Sequence, residues 1–141
     1  MLLNTLPFAS LPERNVRELV PCPAVLSLYA APDFQGDCFM ILHCVFLRLK
    51  SALTQDEKTA LFDSVVALQK VIPGIVDVKY GPNVSPEGLH GGFADGFAVT
   101  FESVEARDAY LIHPEHVAVG ERIVSSTDGG LAGLMVFDFN L

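Results

Sequence analysis

Four histidines, His43, His90, His113 and His116, all lie beyond residue 40 of this 141-residue chain. Imidazole titrates near neutral pH, so histidine is the side chain best suited to general acid–base work. Tyr110 lies shortly before His116, with Pro114 between them. Such a pair offers a base that can take a proton and a hydroxyl that can donate to an oxygen gaining charge. The two meet only if the chain turns at Pro114, which proline favours. The same pair could instead be a hydrogen-bonded lock on that turn, since buried polar groups are normally satisfied. His113 and His116 have helical-neighbour spacing, but no third ligand accompanies them, so no metal centre is expected. His113 reads as a turn or interface residue, and His90, followed by two glycines, as a solvent-facing loop residue.

The elements that must position these groups are clearly punctuated from Met40 onward. Ile41 to Leu49 is a nearly continuous apolar run that reads as a first strand. Thr54-Gln55-Asp56-Glu57 is a capping box, and Leu61, Val65, Leu68 and Ile72 then follow the helical period until Pro73-Gly74. Ile75 to Tyr80 reads as a second strand and Phe93 to Phe101 as a third. Ser103 caps a second helical region, and Pro114 opens a further helical stretch to about Val124. Asp128-Gly129-Gly130 breaks it, and Leu131 to Phe139 is the last strand. The order β-α-β-β-α-β predicts an α+β, ferredoxin-like fold with an antiparallel sheet.

Each strand can be read face by face, because side chains alternate. In the first, Ile41, His43, Val45, Leu47 and Leu49 share one face, and Leu42, Cys44, Phe46 and Arg48 the other. In the last, Met135, Phe137 and Phe139 lie opposite Leu134 and Val136. Both faces are largely apolar, yet the helical regions can cover only one. A homodimer with the sheets packed inside and the helices outside would remove the exposed patch, giving a dimeric α/β barrel. Between helices and sheet, Val45, Leu47, Leu61, Phe62, Val65, Val66 and Val78 are expected to pack as core or to line a pocket for an apolar or aromatic small molecule. His43 is expected to hydrogen-bond Asp95 across the sheet, either as a satisfied core pair or as an oriented imidazole at the pocket mouth.

Composition narrows the function classes. The formal net charge of −8 argues against binding led by phosphate contacts, so no nucleic acid is expected. Although 50% of the residues are hydrophobic, no apolar run is long enough to span a bilayer, so no membrane partner is expected. Cys22, Cys38 and Cys44 form no CxxC pattern, which fits a reducing, cytoplasmic setting. No phosphate-binding glycine pattern or nucleophile elbow is present, and no cofactor is expected. Residues 1–39 differ from the rest: they hold Pro7, Pro12, Pro21, Pro23 and Pro32 and no sustained period. They read as a proline-rich N-terminal extension to a domain over 40–141. Gln35-Gly36-Asp37 can be encoded by purine-rich codons resembling a ribosome-binding site, so Met40 is a candidate native start. The mass of protein made from the native locus tests this, and a mass that includes residues 1–39 rejects it.

Several stretches resemble one family. His43-Cys44-Val45-Phe46-Leu47-Arg48-Leu49-Lys50, Val71-Ile72-Pro73-Gly74-Ile75 and Gly81-Pro82-Asn83-Val84-Ser85 are similar to motifs of the stress-responsive A/B barrel (Dabb) domain. So are Val99-Thr100-Phe101-Glu102-Ser103-Val104-Glu105 and Ala109-Tyr110-Leu111-Ile112-His113-Pro114-Glu115-His116-Val117. The resemblance covers 40–141 and none of 1–39. It implies a dimeric α/β barrel, and resemblance to the family's polyketide-cyclase branch implies more. That branch has a catalytic tyrosine and histidine matching Tyr110 and His116, and a strand-one pocket histidine matching His43. A further pocket histidine of that branch falls at Asp95, which puts the same substrate in doubt. An aldol-type cyclase needs a base to take a proton beside a carbonyl and a donor to hold the enolate oxygen. The resemblance assigns these roles to His116 and Tyr110. The reading is thus a dimeric protein that binds a small apolar or aromatic metabolite, with substrate contacts from His43, Asp95, Val45, Leu47, Phe62 and Val66. The alternative is a cyclase-like lyase or isomerase acting on a β-carbonyl compound.

Overall fold

The apolar run after Met40 becomes the strand β1 (Ile41–Leu47) in a computed structural model that describes residues 39–141. The expected extension over 1–39 lies outside the described residues apart from Phe39. After β1 come α1 (Gln55–Ala67), β2 (Ile75–Pro82), β3 (Asp95–Phe101), α2 (Val104–Leu111), α3 (Pro114–Ser126) and β4 (Leu134–Asn140). The strands form one antiparallel sheet in the order β2-β3-β1-β4. This is the ferredoxin-like α+β fold expected from the element order.

Local chemistry sets the helix starts. The Thr54 hydroxyl accepts from the Glu57 amide at 3.2 Å, while the Glu57 carboxylate accepts from the Thr54 amide at 2.7 Å, closing the capping box. Ser103 caps α2 by accepting from the Ala106 amide at 3.2 Å. At α3, Pro114 takes the first turn, where its missing N–H costs nothing, and His113 Nδ1 accepts from the Glu115 amide at 3.2 Å. The turn role expected for His113 is therefore that of a helix cap.

The helices pack on one face of the sheet. Ile41, Val45 and Leu47 of β1 meet Phe97, Val99 and Phe101 of β3, and Leu61, Phe62, Val65, Leu68 and Ile72 close over them. The helical period expected from Leu61 to Ile72 is buried in three parts: Leu61 and Val65 on α1, Leu68 in the short 3-10 turn, Leu68–Lys70, that follows it, and Ile72 just beyond that turn. Each such side chain contributes about 1.5–3 kcal/mol when fully buried. On the opposite face Phe46, Phe137 and Phe139 remain 40%, 50% and 53% exposed. Among the described residues, no helix is long and apolar enough to cross a membrane.

Two strand starts differ from expectation. β3 begins at Asp95 rather than Phe93, whose ring packs instead under the Arg48 guanidinium, 4.8 Å from the ring centre. Residues Gly130–Gly133 form a 3-10 turn, so β4 begins at Leu134 rather than Leu131. Gly129 and Gly130 both have positive φ, and a Cβ at Gly133 would meet the Asp128 carbonyl oxygen at 2.6 Å. The close approach of these backbones requires a turn where apolar content alone suggested strand.

Candidate functional site

Register decides which histidine meets which partner. On β1, His43 stands opposite Val99 of β3 and Asp138 of β4, whereas Asp95 stands opposite Leu47. Asp95 is therefore about 13 Å along the sheet from His43. The expected His43–Asp95 hydrogen bond does not form. Asp95 instead accepts from Lys58 Nζ of α1 at 3.0 Å.

The partner of His43 is Asp138, with Nδ1 2.7 Å from Oδ1. The other oxygen of Asp138 pairs with the Arg107 guanidinium of α2, which also meets Asp108 at 2.8 Å. A carboxylate only accepts, so the His43 Nδ1 carries the proton of that bond. In the neutral ring the lone pair is then on Nε2. Asp138 is the one charged residue in β4, on the face of Leu134 and Val136. That isolated charge in an apolar strand was the available signal, and the sequence reading passed over it. Arg107 carried no comparable signal, because it lies in a polar stretch of helix.

Tyr110 and His116 come together across the turn at Pro114, with ring centres 4.1 Å apart. Tyr110 is only 2% exposed, its ring wedged between His43, Phe101 and His116. Burial pushes its phenol well above the ordinary range, so it remains a protonated donor. His116 Nδ1 lies 3.2 Å from the Leu111 carbonyl. A carbonyl also only accepts, so this imidazole too presents its lone pair at Nε2 when neutral. Burial lowers the His116 pKa against the opposing pull of that hydrogen bond, and His43 and His113 lower it further.

These three groups share a cavity of about 250 Å³ between α3 and the β1–β4 half of the sheet. His43, Tyr110 and His116 line it together with Val45, Phe97, Leu111, Val119, Gly120, Ile123, Val124, Leu134 and Val136. Of the residues singled out from sequence, His43, Val45, Tyr110 and His116 converge here. Leu47 is fully buried core. Phe62 stacks on Tyr80 under α1, ring centres 4.9 Å apart, and shares a small cleft there with Asp95. Val66 is half-buried on α1. Of the residues expected as core or pocket lining between helices and sheet, Leu61, Phe62 and Val65 are core that packs α1 down, while the cavity lies under α3. A larger trough of about 360 Å³ lies on the open face beside Cys44, Phe46 and Lys79. None of the histidines lines it, so the chemistry points to the smaller cavity.

His90 is exposed and accepts from the Gly92 amide at 3.1 Å, which organises the loop rather than the cavity. Among the described residues, no three histidine, cysteine or acidic side chains are grouped to hold a metal.

Comparison with known proteins gives the family. The chain is 33% identical to olivetolic acid cyclase of Cannabis sativa over 99 residues, covering 70% of this chain and 94% of that protein. It is 30% identical to the stress-response A/B barrel domain-containing protein HS1 of Arabidopsis thaliana over 88 residues, covering 62% and 81%. Among solved structures, a dimeric ferredoxin-like protein of unknown function from Jannaschia sp. superposes with a TM-score of 0.67 at 29% identity. The match covers 72% of this chain and 99% of that one. Residues 41–141 match the sequence model of the Stress responsive A/B Barrel Domain, and the chain belongs to that family.

Proposed function

We propose that the chain works as a homodimer whose cavity binds a small apolar or aromatic metabolite bearing a carbonyl group. One observation carries this reading. Two imidazoles presenting Nε2 and one un-ionised phenol converge at one end of a cavity otherwise lined by apolar side chains. Few polar groups amid apolar walls is the usual make-up of a small-molecule site. The dimer is supported by the exposed Phe46, Phe137 and Phe139 and by the dimeric Jannaschia structure.

A second reading, turnover of the bound compound, is favoured by the lowered pKa of His116, which keeps that imidazole neutral near pH 7 and so able to accept a proton. His116 Nε2 would take the proton beside the carbonyl, and the Tyr110 hydroxyl would donate to the enolate oxygen that forms. The similarity to olivetolic acid cyclase supports the same pair of roles.

The test is a proton NMR titration of the histidines in the full chain against aromatic ketones and β-diketones. Binding is expected to shift the His43 and His116 resonances together. Indifference of both to every compound rejects the cavity as a binding site. Turnover is read separately, as exchange of the α-protons of a β-ketothioester in heavy water, expected to fall to background in His116→Gln.

A further inference from the structure

Arg107 and Asp138 are not among the residues that line the cavity, yet they reach it through His43. Asp138 accepts from His43 Nδ1 with Oδ1 and from Arg107 Nη1 with Oδ2. The Arg107 Nε in turn donates to Asp108 Oδ1 at 2.8 Å. Arg107 and Tyr110 are three residues apart on α2, so they are neighbours on the helix surface. The Tyr110 ring meets the His43 ring with centres 5.9 Å apart. His43, Asp138, Arg107 and Tyr110 thus close a ring of contacts that spans β1, β4 and α2.

Arg107 is not needed to hold α2 in place. Ser103 caps that helix, and Ala106 and Tyr110 pack it against the core. A side chain 21% exposed that pairs with carboxylates adds little to stability by itself. Its consequence lies at Asp138, whose side chain is 29% exposed on an edge strand. A partly exposed carboxylate held by one oxygen can turn about its side-chain bonds and exchange His43 for water. Held by both oxygens, it presents Oδ1 to His43 in one plane. The guanidinium suits that task, because its planar fork is itself fixed at a second point by Asp108. A free imidazole prefers its proton on Nε2, so the Nδ1–H form at His43 depends on that acceptor staying in place.

We propose that Arg107 is a positioning residue for the cavity. Through Asp138 it keeps the bare Nε2 of His43 turned toward the ligand, at a fixed distance from the Tyr110 hydroxyl. Asp108 holds the guanidinium and the guanidinium holds the carboxylate, so the orientation of a buried imidazole is set from the protein surface. The effect on ligands rests on the binding role proposed above, whereas the effect on His43 does not.

The test uses the full chain, with the His43 tautomer read by nitrogen NMR at about pH 8, where an ordinary imidazole is neutral. Affinity for benzoylacetone is read by calorimetry, and stability by thermal melting. Native protein is expected to show His43 protonated at Nδ1 alone. Arg107→Met should show a mixture of both tautomers and bind benzoylacetone about fivefold or more weakly, while melting within about 6 °C of native. Asp138→Ala already lacks the link, so adding Arg107→Met to it should weaken binding no further. Asp138→Asn serves the same comparison if the alanine variant does not fold. A single His43 tautomer in Arg107→Met overturns the proposal, and so does a further loss of binding in the double variant. A larger fall in melting temperature overturns it too, because the residue would then hold the fold rather than the imidazole. A tautomer mixture in Arg107→Met, with no ketone or β-diketone bound by native protein, keeps the role of Arg107 and rejects the binding reading.

Discussion

His43 Nδ1 lies 2.7 Å from Asp138 Oδ1, joining residues 95 positions apart in the chain. The bond crosses from the central strand β1 to the edge strand β4, and Arg107 of α2 holds the second carboxylate oxygen. A buried imidazole is thereby fixed in one tautomer and one orientation by a carboxylate that itself keeps two partners on the edge strand.

Removing the carboxylate should cost stability as well as order. Asp138→Ala leaves the buried His43 N–H without its acceptor and Arg107 without one of its two partners. A loss of about 1–3 kcal/mol is expected from urea unfolding. Asp138→Asn keeps an acceptor and should lose less. Equal stability of all three proteins would show that the bond is not maintained in solution.

Tyr110 separates packing from chemistry. Tyr110→Phe keeps the ring between His43, Phe101 and His116, so its unfolding free energy should stay within about 1 kcal/mol of native. Ligand affinity or turnover should nonetheless fall, because the donor is gone. Tyr110→Ala should cost about 3–5 kcal/mol through the void it leaves. Full retention of binding in Tyr110→Phe would remove the hydroxyl from the site.

His116 makes stability sensitive to acid. Its folded pKa lies below the ordinary value, so the unfolded chain takes up a proton there more readily than the native state. Above the unfolded value of about 6.5 both states are neutral and the group has no effect. As pH falls below it, protonation of the unfolded chain draws the equilibrium away from the native state, until the folded pKa is passed and the penalty levels off. Urea midpoints of the native protein should fall with acidification in that window, and those of His116→Gln less steeply. Identical slopes would mean that burial does not depress the group.

The open face should be the dimer surface. Phe137→Asp puts a charge among Phe46, Phe137 and Phe139, and twofold symmetry places the change in the contact twice. Each copy should cost about 2 kcal/mol or more of association energy. Analytical ultracentrifugation is expected to show monomers with native helix content by circular dichroism. A dimer that survives at the same concentration uses another surface.

Much of the fold was legible because its signals are local. The Thr54–Glu57 capping box, the Leu61–Ile72 stripe, Pro73-Gly74 and the alternation of Ile41, His43, Val45 and Leu47 each act within a few residues. The meeting of Tyr110 and His116 was legible for the same reason, since Pro114 dictates the turn between them. The short turn at Gly130–Gly133 was harder, because Leu131 and Ala132 look like strand until the close backbone approach at Gly133 is known.

By itself, then, the sequence determined the order of the elements, the burial of Val45 and Leu47 and the Tyr110–His116 neighbourhood, all consequences of backbone geometry over short spans. The tertiary structure alone decided that His43 pairs with Asp138 rather than Asp95, and that the cavity opens under α3 rather than α1. Those outcomes depend on register between strands distant in sequence and on how fully side chains from separate elements fill a shared volume. A slip of one residue reverses a strand's faces, and a few methyl groups separate a packed core from a cavity, so neither can be read from periodicity.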